Sequence, residues 1–335
     1  MGRFLLRRLL SSIALIAVVS VIAFVLIQAH PGDYADNYQS FAMSQGGLSA
    51  DDAQQAANAL RVRLGLDQPL PVQYFRWIGN IVLHGDFGQS FVYNRPVTEV
   101  VSQRLWRTLG IAIVCHLLAT AIGVLLGIYA AVNQYRLGDT ISTTLAFLGM
   151  TIPRFFMALL ILYWLAFIVG SPDIGSLHSS QYAFAPWSFG KFWDLVKHVW
   201  PVVLIATIGG LTYNLRVMRG NLLDVLRQPY IEAARAKGLP ERTVVFKHAV
   251  PNALHPLVMY QGVILPYMVS GELEVAIVLS IPTIGPLMLT SLQQQDIYVT
   301  ASIFMMLSVI LVIGNFLADL LLGVIDPRIR QGQRA

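Results

Sequence analysis

Apolar residues in this chain gather into long blocks instead of alternating with polar ones. Six blocks stand out, at 9–29, 108–132, 140–169, 199–218, 256–280 and 300–324. Each is near or above the ~20 residues that a helix needs to cross the hydrocarbon of a bilayer. The second ("LGIAIVCHLLATAIGVLLGIYAAV") and the sixth ("TASIFMMLSVILVIGNFLADLLLG") are the clearest. Pro153 interrupts the third, so its first half, "TISTTLAFLGMTI", is expected to run partly along or beside the bilayer. The first block follows Arg3, Arg7 and Arg8, as a signal peptide would. Its apolar run is too long for that and no A-x-A site follows, so it is expected to be an uncleaved helix. The pattern predicts an all-α polytopic membrane protein with six transmembrane helices.

Composition strengthens that expectation. Of 335 residues, 56% are hydrophobic and 12% charged, about half the charged fraction of a soluble domain. The formal net charge of +5 could suggest nucleic acid, but in a membrane chain cationic loops record orientation. The N-terminal tip, the 133–139 loop, the stretch from Arg216 to His255 and the tail with Arg328, Arg330 and Arg334 hold 14 of the 23 basic residues. Both termini are therefore expected to be cytoplasmic, with the 30–107 and 170–198 segments outside. The 30–107 segment carries amphipathic helical signals, such as "SADDAQQAANALRVRLGL" with Ser49 or Asp51 as N-cap, and a proline-rich turn in "DQPLPVQY". It reads as a small ordered helical cap.

These boundaries organise the chain as a cytoplasmic N-terminus and first helix (1–29), an external cap (30–107), a five-helix core (108–324) containing a cytoplasmic loop at 219–255, and a tail (325–335).

Several chemistries are missing from the sequence. It has no G-x-x-x-x-G-K-[ST] phosphate loop, no H-E-x-x-H and no G-x-S-x-G. Seven histidines are scattered singly and Cys115 stands alone in an apolar run, so each is expected to be a packing or interfacial residue. No bound metal or cofactor is expected.

The cytoplasmic stretch "DVLRQPYIEAARAKGLPERTVVFKHAVPNALHP" (224–256) is unlike its surroundings. Pro229 suits a first helical position. Glu232 near the start and Arg235 and Lys237 near the end complement a helix dipole, and Glu232 and Arg235 are spaced i, i+3. Gly238 suits a left-handed stop. A second short helix is predicted from Pro240 toward Val250, halting at Pro251. So short a helix is marginal alone in water. It is either a docking helix, with Ala233, Ala234 and Ala236 admitting a close partner, or a solvated loop tidied by its caps.

The same residues resemble the permease signature of binding-protein-dependent ABC importers: Glu232-Ala233-Ala234, then Gly238, then "HAVP" at 248–251. "HAVPNA" (248–253) resembles the dipeptide and oligopeptide branch. So do "RFLLRRLL" with a following "HPGD", the segment "LGLDQPLPVQYFRWIGNIVLHGDFGQS" (64–90) and "DPRIR" (326–330). The family's "PGIG" is here "PTIG" (282–285) and its "RDYP" is "QDIY" (295–298).

The resemblance implies a type I ABC importer permease in a bacterial-type inner membrane. Its expected partners are a second homologous permease, two cytoplasmic ATPases and an external substrate-binding protein, besides membrane lipid and no nucleic acid. ATP and Mg would be bound by the ATPases. By similarity, Glu232, Ala233, Ala234, Arg235 and Gly238 couple to an ATPase. Arg154, Glu272 and Glu274 are charges within apolar blocks and so translocation-path candidates, with Arg154 pairing with Glu272 or meeting a substrate carboxylate. Asp319 is expected to snorkel toward the cytoplasmic interface. The resemblance implies import of peptides; oligosaccharides, nickel and opines are alternatives within the family, and a secondary transporter is the alternative outside it.

Overall fold

The computed structural model describes residues 2–325 except 30–31, 33, 45–46, 91, 172–173 and 265–266, and side-chain surroundings outside 2–5, 7, 34, 37, 64, 259–271 and 317–325. The tail "DPRIR", most of "HPGD" and the side chain of Asp319 lie outside the described residues. Helix dominates. The order is α1 (Gly2–Gln28), α2 (Tyr34–Ser44), α3 (Ala50–Leu64), α4 (Leu70–His84), a short antiparallel hairpin of β1 (Gln89–Ser90) and β2 (Arg95–Pro96), then α5 (Val97–Val132). There follow α6 (Leu137–Thr151), α7 (Arg154–Tyr163) with a π-helical end (Trp164–Val169), α8 (Phe189–Leu226), α9 (Pro229–Ala236) and α10 (Glu241–Thr243). A π segment (Val244–Ala249) leads into α11 (Val250–Ile264), followed by α12 (Tyr267–Val278), α13 (Ile284–Gln293) and α14 (Ile297–Ile325).

Among the described residues, four helices are long and apolar enough to cross a membrane: Arg8–Gln28 within α1, α5, α8, and Ile297–Phe316 within α14. Helices α6 and α7 make a fifth span if taken together, but they are bent by 93°. Ile152 and Pro153 adopt extended backbone between them, because proline disfavours helical geometry in the residue before it. The expected span at 256–280 falls on α11 and α12, between which residues 265–266 lie outside the described residues. Two expected spans are parts of longer helices. Helix α5 begins at Val97, straight after Pro96, and α8 runs from its N-cap Ser188, whose hydroxyl accepts from Lys191 N at 3.2 Å.

The expected stop at Pro251 does not occur. Helix continues from Glu241 through the π segment into α11. A proline ring clashes with the carbonyl four residues back and cannot donate to it. The wider π turn immediately before Pro251, closed by Val250 N to Val245 O, relieves that conflict where a regular helix would break.

The chain forms two compact units. One comprises Met1–Trp106 and Leu287–Phe316. Here Ser49 is the N-cap of α3, accepting from Asp52 N at 3.2 Å, and left-handed Gly65 closes the same helix. Helix α4 lies on α1, with Phe24 between Tyr74 and Trp77 and Ser20 bonded to Tyr74 Oη at 2.7 Å. Trp77, Ile78 and Phe87 join Ala23, Ala301 and Met305 in one apolar cluster. A buried polar knot fastens the hairpin to the start of α14. Asp296 accepts from Ser90 Oγ at 2.5 Å and Val92 N at 3.3 Å, and caps α14 by accepting from Val299 N at 3.3 Å.

The other unit comprises Arg107–Pro286 and Leu317–Ala335. Helices α5 and α8 touch along Gly123 and Gly127. A Cβ at either glycine would lie 2.8 Å from a backbone carbonyl of α8, that of Leu211 or Leu215. Helix α6 runs along α8, stapled by Thr212 Oγ1 to Ala146 O at 2.6 Å and by a two-point ion pair of Asp139 with Arg219 at 2.7 and 2.8 Å.

Removing the Asp296 carboxylate takes away the acceptor of the Ser90 hydroxyl, Val92 N and Val299 N, each a penalty of about 1–3 kcal/mol if that donor stays buried. Asp296→Ala is expected to lower the melting temperature of the solubilised protein and to speed proteolysis between residues 84 and 97. Unchanged cleavage and melting would show that the knot does not hold the hairpin.

Candidate functional site: the packed body of α8 to α11

Helix α9 has eight residues, too few to be stable alone. Pro229 is its first residue, as expected, and Gln228 O receives Ile231 N at 3.0 Å and Glu232 N at 3.3 Å. It ends where Gly238 adopts φ +75°, with Gly238 N donating to Arg235 O at 2.9 Å. Its stability comes from one face. Ile231 is fully buried and Ala234 nearly so, packed with Met218 and Leu222 of α8, Val244, Val245 and Ala249 of the π segment, and Ala253 and Leu257 of α11. Ile128 and Ala131 at the end of α5 complete the cluster. Asn221 Nδ2 donates to Ala253 O at 3.2 Å, joining α8 to α11 beside it.

The opposite face is open. Tyr230, Glu232, Ala233, Ala236 and Lys237 are exposed. The three alanines thus divide: Ala234 faces inward and Ala233 and Ala236 outward. Arg235 does not take Glu232 as its hydrogen-bonding partner, although the i, i+3 spacing suggested a pair. It reaches across the Gly238 turn to Glu241, with Nη2 to Oε1 at 2.8 Å and Nε to Oε2 at 3.2 Å. The turn brings α10 back over the end of α9, so the planar guanidinium meets both carboxylate oxygens. Glu232 acts on Arg235 only at longer range. Beside this body a groove of about 290 Å3 is lined by Tyr129 and Val132 of α5 and by Arg242 and Phe246.

Among the described residues no hydrogen bond joins Glu272 to either of the other two translocation-path candidates. Arg154 opens α7 immediately after the bend and lays its guanidinium against α8, where a Cβ on Gly209 would be 2.7 Å from its Nε. Glu272 is wholly buried on α12, and neither carboxylate oxygen has a hydrogen-bond partner among the described residues. The suggested Arg154–Glu272 hydrogen-bonded pair is therefore not formed. The Thr283 hydroxyl, also buried without a bonded partner, lies near that carboxylate. Glu274 is exposed.

Sequence reasoning missed the Asp139–Arg219 pair, 80 positions apart. It also missed a cluster around Asp194, which gathers His178 and His198, two of the histidines read as isolated. No local spacing announces either, because the partners meet only through helix packing and loop return.

The chain was compared with known proteins. A family profile described as "Binding-protein-dependent transport system inner membrane component" matches residues 123–331, and its N-terminal counterpart, "Binding-prot-dependent transport system membrane comp, N-term", matches residues 1–112. The oligopeptide transport system permease protein AppB of Bacillus subtilis (strain 168) is 34% identical, over 98% of this chain and 99% of its own. The "Probable peptide ABC transporter permease protein y4tP" of Sinorhizobium fredii is 32% identical, over 98% and 100%. Among solved structures, an inward-facing MetNI methionine ABC transporter shares the fold, with TM-score 0.51 and 18% identity, over 68% of this chain and 97% of that one.

The Arg235 guanidinium holds the Glu241 carboxyl below its usual range. A carboxyl with a lower pKa in the folded body stabilises it above the unfolded value of about 4.3 and loses that effect as pH falls through the folded value. The 229–243 corner is therefore expected to loosen below about pH 4. Hydrogen exchange of these amides, compared with Glu241→Gln at each pH, reads this directly. The variant should lack the acid-dependent loss and, at neutral pH, differ by no more than about 1 kcal/mol, because both side chains are exposed.

Proposed function

Because the chain belongs to the family of inner membrane components of binding-protein-dependent transport systems, we propose that it is the permease subunit of an ATP-driven importer of peptides. An external binding protein delivers the substrate. A second homologous permease completes the path, and two cytoplasmic ATPases bind ATP and Mg and drive it. The substrate class is supported by relatives named for oligopeptide and peptide transport, similar along essentially the whole chain. The positive charges gathered around the 219–255 segment support a cytoplasmic site for it, with both termini on the same side.

One observation carries the coupling reading. Helix α9 is open on its Glu232–Ala233–Ala236 side and rigidly based on its Ile231–Ala234 side. A partner seated on the open side pushes on a body that cannot yield locally. Displacement passes through Ile231 to Met218 and Leu222 of α8, and through Val244 and Val245 to α11. Arg235, tied to Glu241, stiffens the corner, and Gly238 permits the reversal that closes it. ATP binding then selects between two membrane arrangements through contacts made differently in each.

Within the membrane, Arg154 sits at the bend between α6 and α7, against the Gly209 backbone of α8. A bend of 93° is a natural place for a path to open or close. Buried Glu272 and exposed Glu274 complete the candidate charges on the path, Glu272 lying inside the α12 packing and Glu274 reaching its surface.

Glu232→Lys reverses the charge on the open face. Gly238→Trp places a bulky side chain where the surroundings are empty but φ is +75°, so its strain is of the order of 1–3 kcal/mol. Both variants are expected to insert into the membrane and assemble yet lose most ATP-driven peptide uptake in vesicles. Full uptake with both changes present would remove α9 as the coupling element.

A further inference from the structure

A cavity of about 330 Å3 opens between the π-helical end of α7, the loop after it, the start of α8 and the end of α12. The function described so far makes no use of it. Its rim is built around a buried carboxylate. Asp194 accepts from Ser179 N at 3.0 Å, Ser179 Oγ at 2.8 Å and His178 Nδ1 at 3.2 Å, which folds the 174–188 loop back onto α8. His198 Nδ1 lies 2.7 Å from the Asp194 carbonyl, which can only accept, so that ring nitrogen carries the hydrogen. Lys191 is buried too, donating to Ala185 O at 2.6 Å and standing 5.7 Å from the centre of the Trp187 ring.

Asp194 and Lys191 are thus committed to holding the loop. Lys197 also lines the cavity, but it is exposed and has no ion-pair partner among the described residues. Gln181 lines the same space. Trp200, Leu279 and Ile281 add apolar surface to the lining. An exposed cation on the cavity lining favours an anionic group. The apolar residues of the same lining favour a hydrocarbon side chain on the same ligand. The volume is at the low end of the roughly 300–1,000 Å3 of small-molecule sites, enough for one end of a longer ligand.

We propose that this cavity is a subsite for the C-terminal carboxylate and last side chain of a peptide entering the path, with Lys197 as the carboxylate-binding residue. It rests on the peptide reading above and deepens it. The Asp194 knot fixes the loop that carries Gln181 against the helix that carries Lys197. Binding here discriminates a free acid from an uncharged end after the binding protein has released its cargo.

The test uses the complete transporter in vesicles, with saturating binding protein loaded with a short peptide or with its C-terminal amide, chosen so that the binding protein holds both. Lys197→Gln is expected to slow uptake of the free acid about tenfold, as loss of a charged hydrogen bond does. Lys197→Arg should restore it, and uptake of the amide should not respond to either change. Wild-type rates for the free acid in Lys197→Gln would overturn the subsite alone, as would equal slowing of acid and amide. Failure of the unaltered complex to import either peptide would overturn the peptide reading and the subsite with it.

Discussion

An eight-residue helix in water spends most of its time unfolded, and α9 escapes that only by burying Ile231 and Ala234. That apolar contact is the constraint on which the 219–255 segment depends. It fixes where α8 must end and how tightly the Gly238 turn must reverse. It also sets how α10 and the π segment lie over the helix. The ion pairs are secondary. Arg235–Glu241 lies on the surface and trims the corner without founding it. Asp139–Arg219 is better shielded, at the carboxylate end above all, and acts elsewhere, binding α6 to α8.

Lipid imposes a second demand, since backbone groups there have no water to bond with. The prolines show how differently it can be met. At Pro153 the helix breaks outright and two shorter helices diverge. Pro201 stays within α8, and Pro251 within α11 behind a π turn. The unbroken cases keep α8 and α11 continuous beside α9. The broken one supplies a joint. Continuity and joint lie on neighbouring helices, α8 and α6–α7, stapled together through Thr212 and Arg219.

Much of this was legible in the sequence because its causes are local. Long apolar blocks announced the membrane helices. Ser49, Pro229 and Gly238 declared their ends through cap chemistry that spans only a few residues. The motifs of the EAA segment led to the family that the comparisons show. What the sequence hid depends on tertiary placement. Pro251 read as a stop because the compensating π turn has no composition of its own. Arg235 took Glu241 over Glu232 because the turn, not the helix spacing, sets the distance. The 64–90 segment that ends in "GDFGQS" resembled the family and "QDIY" departed from it, and only the fold shows Ser90 and Asp296 bonded to each other. His178 and His198 looked solitary until Asp194 drew them together.

The two glycines of α5 at the α8 contact have a kinematic consequence. With Gly123 and Gly127 seated against the carbonyls of Leu211 and Leu215 and the Cβ atoms of Asn214 and Met218, the helices approach closely with no side chain from α5 between them at these two positions. Sliding by even one residue would drive a Cβ-bearing neighbour into that space, and rotation would do the same. Close contact at these two positions therefore leaves the pair less room for small adjustments than helices spaced by side chains on both sides retain.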